Sequence, residues 1–124
     1  MAYLINLQTR SDDRGDLTVI EKILPFDIKR VFFIYNINKN MERGGHRHNV
    51  TFQGLICING ACIVISENSK SKEKYLLDSP EKCLILEPED WHVMKDFKDN
   101  TILLVLASEY YDKDDYIYDK YDNN

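Results

Sequence analysis

Two of the chain's three histidines, His46 and His48, stand two residues apart in Arg43-Gly44-Gly45-His46-Arg47-His48. Directly after them comes the strand-like run Thr51-Phe52-Gln53-Gly54-Leu55-Ile56-Cys57-Ile58. Side chains at i and i+2 of a strand point to one face, so the spacing predicts both imidazoles on one wall of a cavity. An imidazole, with an ordinary pKa of about 6.5, gives or takes a proton at neutral pH. It is also a common metal ligand, so the pair offers acid/base chemistry or metal binding. Gly44-Gly45 is too short for a phosphate loop and reads as a place of close backbone approach at the cavity mouth.

The elements that must position this pair are short strands. Tyr3–Leu7 reads as a first strand, Ser11–Asp16 as a polar turn and Leu17–Glu21 as a second strand. Leu24-Pro25-Phe26 breaks the pattern. Ile28–Tyr35 is β-branched and aromatic and reads as a strand. Arg30, Phe32 and Ile34 share one of its faces, Val31, Phe33 and Tyr35 the other, and the apolar character of both predicts a strand covered on both sides. Thr51–Ile58 and Ala61–Ser66 flank Asn59-Gly60, a hairpin signal. Further strands are expected at Glu73–Leu77, Cys83–Leu86, Trp91–Met94 and Thr101–Leu106. The tail from Tyr110 to Asn124 is rich in tyrosine and aspartate, with no apolar face of any width. In it Tyr110, Tyr111, Tyr116 and Ile117 are expected to dock as a short helix or turn, and the last residues to fray. Nine or ten short strands and no long helical period predict an all-β antiparallel barrel in a single domain spanning 1–124.

Gross composition limits the partners. A net charge of −5 and a pI near 5.1 argue against nucleic acid or an anionic membrane held by bulk electrostatics. They leave room for a phosphorylated ligand in a local basic pocket. The amino terminus lacks the pattern of a signal peptide, and the longest apolar run, Ile102–Ala107, is too short to span a bilayer. Cys57, Cys62 and Cys83 lie in apolar strand segments without paired metal spacing, which predicts buried free thiols in a reducing cytoplasm.

His46-x-His48, four residues, Gln53, six residues, Gly60 has the spacing of the first cupin motif. Pro88-Glu89-Asp90-Trp91-His92 resembles a degenerate second motif, its histidine one residue early. The cupin jelly roll agrees with the strand count. Gln53 stands where metal cupins carry a carboxylate, and exchanging that anion for an amide weakens the case for a divalent metal.

A narrower resemblance runs from Arg14 to about Tyr121. It rests on Arg14-Gly15-Asp16, Leu24–Val31, Arg43–His48, Leu104–Asp112 and Asp115-Tyr116-Ile117. Together these are similar to the WxcM-like, FdtA-type sugar 3,4-ketoisomerases, which act on dTDP-4-keto-6-deoxyglucose. Arg47 stands where that family usually has a small residue.

The resemblance implies an RmlC-like cupin fold, a homodimer with strand exchange between subunits and a cytoplasmic enzyme of deoxyamino-sugar biosynthesis. It also implies acid/base catalysis by His46 and His48 without metal or cofactor. Moving a ketone from C4 to C3 passes through an enediol and leaves the oxidation level of the sugar unchanged, so no redox cofactor is required. Which histidine is the C3 base stays open, with His48 preferred. Gln53, Tyr35 and Arg43 are candidate donors to the enediolate oxygens. Arg14, Arg30 and Arg43 are candidates for the pyrophosphate, and Tyr35 and Trp91 for packing on thymine or sugar. His92 is open between a substrate contact and a satisfied histidine of the barrel. Two other readings compete: a metal-dependent cupin enzyme using His46, His48, His92 and Gln53, and a non-catalytic module that binds nucleotide sugars.

Overall fold

The computed structural model describes residues 1–38 and 40–122. Its strands are β1 (Tyr3–Asn6), β2 (Gln8–Asp12), β3 (Gly15–Val19), β4 (Arg30–Ile34), β5 (Arg43–His48) and β6 (Gln53–Asn59). They continue with β7 (Cys62–Glu67), β8 (Lys72–Leu77), β9 (Lys82–Leu86), β10 (Trp91–Lys95), β11 (Ile102–Ala107) and β12 (Tyr116–Ile117). One five-stranded sheet has the order β1-β9-β6-β11-β4 and a second the order β12-β5-β10-β7-β8, while among the described residues β2 and β3 pair only with each other. Every ladder is antiparallel. This is the all-β jelly roll expected from the sequence.

Period-two alternation explains how the strands pack. Leu55 and Cys57 of β6, Leu84 and Leu86 of β9, Leu103 and Val105 of β11, and Val64 and Met94 of the opposite sheet form the core between the sheets. Phe32 and Ile34 of β4 pack against it. Each such side chain contributes about 1.5–3 kcal/mol when fully buried. The alternate residues Ile56, Cys83, Ile85 and Leu106 face outward from the first sheet and are covered by Leu7, Ile20, Leu24 and Phe26. The segment around Pro25 that interrupts the strand pattern is thus a cover for the sheet. Cys57, Cys62 and Cys83 are buried free thiols, as expected.

Several local expectations need correction. Asn59-Gly60 does not close a ladder between its flanking strands: β6 pairs with β9 and β11, β7 with β8 and β10. The turn instead carries the chain from one sheet to the other. The turn of the first hairpin is tighter than Ser11–Asp16, with ladder pairs reaching Ser11↔Asp16 and Asp12↔Gly15. β4 is covered on one side only. It is an edge strand, and the outward Val31, Phe33 and Tyr35 are 55%, 60% and 57% exposed because the cover over β6, β9 and β11 stops short of them. β1 pairs with β9 of its own chain. In the tail Tyr110 and Tyr111 are exposed, while Tyr116 docks after a 3₁₀ turn at Lys113–Asp115. The expected fraying of the final residues concerns Asn123 and Asn124, which lie outside the described residues.

Candidate active site

Six strand ends meet at one end of the sandwich. There β5 ends with His46 and His48, β10 begins beside His92, and β6 begins at Gln53. β11 ends at Ala107, β4 begins at Arg30 opposite it, and β12 lies along β5. Ladder parity puts the relevant side chains on inward faces. His92 shares a face with the core residue Met94, Gln53 with Leu55 and Cys57, and Arg30 with Phe32 and Ile34. The register pairs His46 with His92 across β5 and β10.

The three imidazoles form one cluster. Ring centroids are 5.0 Å apart for His46 and His48, 4.9 Å for His46 and His92, and 6.2 Å for His48 and His92. Tyr116 adds a fourth ring, 4.6 Å from His46 and 4.8 Å from His48. Arg30 is half-buried, its guanidinium 4.5 Å from the Phe32 ring and 5.3 Å from that of Tyr111. Gln53 is buried, and its Oε1 makes no hydrogen bond within the described chain.

Burial sets the protonation state of the cluster. It lowers the pKa of His46, opposed by a hydrogen bond with the Gly44 backbone. It lowers His48 to about 4, helped by the His46 and Arg30 charges and opposed by Asp115. It lowers His92 to about 3, helped by the charges of His46 and His48 and opposed by the Asp90 backbone. His92 Nδ1 lies 3.2 Å from the Asp90 carbonyl, which can only accept, so the proton sits on Nδ1. Its Nε2 is left as a bare, buried acceptor with no partner in the described chain. At neutral pH the cluster is therefore a set of neutral imidazoles, ready to accept a proton from a bound molecule.

These shifts have a measurable consequence. Activity that needs a neutral imidazole should persist well below pH 6.5, with the acidic limb of kcat/KM centred nearer the His48 value of about 4. Stability moves in the same window. Between the ordinary and the lowered pKa values the unfolded chain binds protons that the native chain excludes, so stability falls as the pH drops through it. A pH–rate profile with thermal melts at each pH checks both, and an acidic limb at or above pH 6.5 would contradict the buried, neutral cluster.

The structure brings together His46, His48, His92, Gln53 and Arg30, and does not bring the remaining candidates to them. Trp91 precedes His92 and faces outward, where its Nε1 donates to the Tyr118 carbonyl and Lys120 lies over its ring. Tyr35 lies on the exposed outer face of β4, beside Phe33. Arg43 is exposed at the start of β5, opposite Met94. Arg14 sits at the tip of the β2–β3 hairpin, paired with Asp12. Arg47 also faces outward, against Tyr121. Tyr116, expected to dock but not at the site, and Asp115 are the neighbours of the histidines that sequence reasoning did not single out. The Asp115-Tyr116-Ile117 ending that carries part of the family resemblance was a signal for them, but nothing in the tail's periodicity showed which tyrosine docks. Among the described residues no group of three His, Cys, Asp or Glu side chains is arranged to hold a metal ion.

Comparison with known proteins decides the family. The family model FdtA, described as WxcM-like, C-terminal, matches residues 2–123. The chain belongs to this family. It is 43% identical over 122 residues to the TDP-4-oxo-6-deoxy-alpha-D-glucose-3,4-oxoisomerase of Aneurinibacillus thermoaerophilus, covering 97% of this chain and 87% of that one. The 3,4-ketoisomerase QdtA of Thermoanaerobacterium thermosaccharolyticum, solved as a histidine-to-asparagine variant in complex with TDP-4-keto-6-deoxyglucose, is 41% identical. It superposes with a TM-score of 0.91 over 95% of this chain and 87% of its own. At 18% identity and a TM-score of 0.81, the dTDP-4-dehydrorhamnose 3,5-epimerase of Bacillus anthracis shares the fold, over 93% and 76% of the two chains.

Proposed function

We propose that this chain is a sugar 3,4-ketoisomerase that converts TDP-4-keto-6-deoxyglucose to a TDP-3-keto-6-deoxyhexose. The carrying observation is the cluster of three neutral imidazoles, two buried and one half-buried, beside Arg30 and Gln53, in a member of this family. A neutral imidazole of the β5 pair, His48 in the preferred assignment, takes the proton from C3. The released electron pair forms the C3=C4 bond, and negative charge moves to the oxygen on C4. The Arg30 guanidinium and the Gln53 amide N–H are the donors suited to that oxygen. A proton then returns to C4, the C3 hydroxyl passes its own proton to the oxygen on C4, and the product carries the ketone at C3 and a hydroxyl at C4. Burial disfavours the imidazolium formed on the way, so the proton is handed on readily. Atoms and electrons balance within the sugar, and no cofactor enters.

Incubation with TDP-4-keto-6-deoxyglucose, followed by ¹³C NMR, should show the carbonyl resonance move from C4 to C3. Binding of TDP with no such change would favour the non-catalytic module.

The enzyme is further proposed to work as a cytoplasmic homodimer. The β2–β3 hairpin pairs only with itself and leaves Leu17 58% exposed, and the outer face of β4 presents Val31, Phe33 and Tyr35 to solvent. A second copy would cover both surfaces, with the hairpin as the exchanged element. In that arrangement Arg14 at the hairpin tip serves the neighbouring subunit's substrate. Light scattering at micromolar concentration should give twice the chain mass, and a single-chain mass would count against the dimer.

A further inference from the structure

We infer that Asp115 is a positioning residue for the histidine pair, an inference that rests on the isomerase reading of the site. Its buried carboxylate accepts hydrogen bonds from the amides of Asn49, at 3.0 Å, and Val50, at 2.8 Å, and from the Thr51 hydroxyl. Its backbone carbonyl also accepts from the Asn49 amide, at 3.0 Å. Asn49, Val50 and Thr51 are the residues that leave His48 and lead to Gln53, so one side chain fixes the path between two groups of the site. The far end of that connection is fixed independently. The Phe52 amide donates to Ser108 Oγ at 2.8 Å, and the Ser108 amide to the Phe52 carbonyl at 3.0 Å.

The same clamp sets the tail. Asp112 caps the 3₁₀ turn by accepting from the Asp114 amide, and Asp115 closes it. The next residue, Tyr116, then pairs with His48 and lays its ring against both imidazoles. Beyond it the tail is held by contacts nearer the surface: Trp91 Nε1 to the Tyr118 carbonyl, Tyr121 Oη to the Glu89 carbonyl, and Lys120 to Glu67. Among the described residues of the tail, from 109 to 122, Asp115 is the buried one. It joins the exit of the catalytic strand to the ring that walls it, and releasing it frees both at once.

Asp115→Ala is expected to lower kcat by about 10- to 100-fold, the range that follows from ångström-scale misplacement of reacting groups. KM should change by no more than about threefold, because misplacing the histidines acts on the chemical step rather than on uniform binding. Asp115→Asn keeps an oxygen for the two amides and a nitrogen facing Thr51, and should recover most of the loss. The His46 and His48 ring-proton NMR signals, shifted by the Tyr116 ring in the native enzyme, should move toward ordinary positions in Asp115→Ala and stay in place in Asp115→Asn. A folded Asp115→Ala with native kcat and unmoved signals overturns the proposal. So does an Asp115→Asn as impaired as Asp115→Ala, which would assign the effect to charge. Should Asp115→Ala fail to fold, Thr51→Val removes one contact and must still lower kcat and shift the histidine signals, an unchanged enzyme again overturning the inference. The NMR readout needs no turnover, so it tests Asp115 even if the native chain leaves the keto sugar unconverted.

Discussion

His48→Asn and His46→Asn are each expected to lower kcat by about 10²–10⁴, the range for loss of a general acid or base. At about 1.36 kcal/mol per tenfold, this corresponds to about 2.7–5.4 kcal/mol of barrier. Asparagine keeps a polar side chain of similar size but cannot exchange a proton near neutral pH. KM should change less than kcat, because the interaction removed acts in the chemical step rather than in uniform binding. Both variants should fold, since each replaces a half-buried or buried polar group without opening the apolar core. Steady-state kinetics with TDP binding as a control checks this. Near-native turnover in both variants would remove the imidazoles from the chemistry.

Gly44→Ala is expected to damage the same site through the backbone. Gly44 has φ +89°, and a Cβ there would lie 2.8 Å from the His92 carbonyl oxygen and 3.1 Å from Met94 Sδ. The left-handed conformation alone costs a non-glycine residue about 1–2 kcal/mol. The overlap with His92 then forces β5 away from β10 next to the His46↔His92 pair, where the ladder already shifts register between His92 and Val93. A displacement of this kind should lower kcat by about 10²-fold. Gly45→Ala is the informative control. Gly45 also has a positive φ, at +83°, but a Cβ there meets nothing within 4 Å. It should show the loss in melting temperature with a much smaller loss in kcat, and equal activity losses in the two variants would contradict the contact argument.

What the sequence made legible, and what it hid, follows from the range of each interaction. The i, i+2 spacing of His46 and His48 is a local period-two signal, the apolar runs of β9 and β11 are local strand signals, and the structure has them as read. The same parity divides the candidate residues between faces. Trp91 and His92 are neighbours on one strand, so they cannot both face one cavity. Arg30 and Tyr35 lie on opposite faces of β4. Tertiary pairing, by contrast, left no local mark. Asn59-Gly60 is as good a turn within a sheet as between two sheets, and only the partners taken by β6 and β7 decide which. Tyr116 and Asp115 were hidden for the same reason. They sit in a polar, aromatic tail without period, and they act through β5 and the Asn49–Thr51 connection, more than sixty residues earlier in the chain.

The central claim is that a buried imidazole moves the proton between C3 and C4 of the keto sugar. Conversion of TDP-4-keto-6-deoxyglucose in D₂O, with the product read by ¹H and ²H NMR, tests it most directly. An imidazole that exchanges its proton with solvent during the reaction should give a 3-keto product carrying deuterium at C4, and His48→Asn should suppress both product and label together. Unlabelled product would sink the claim of solvent exchange and place a shielded proton transfer between the adjacent carbons. A 3-keto product formed by His46→Asn and His48→Asn at the native rate would contradict the account itself.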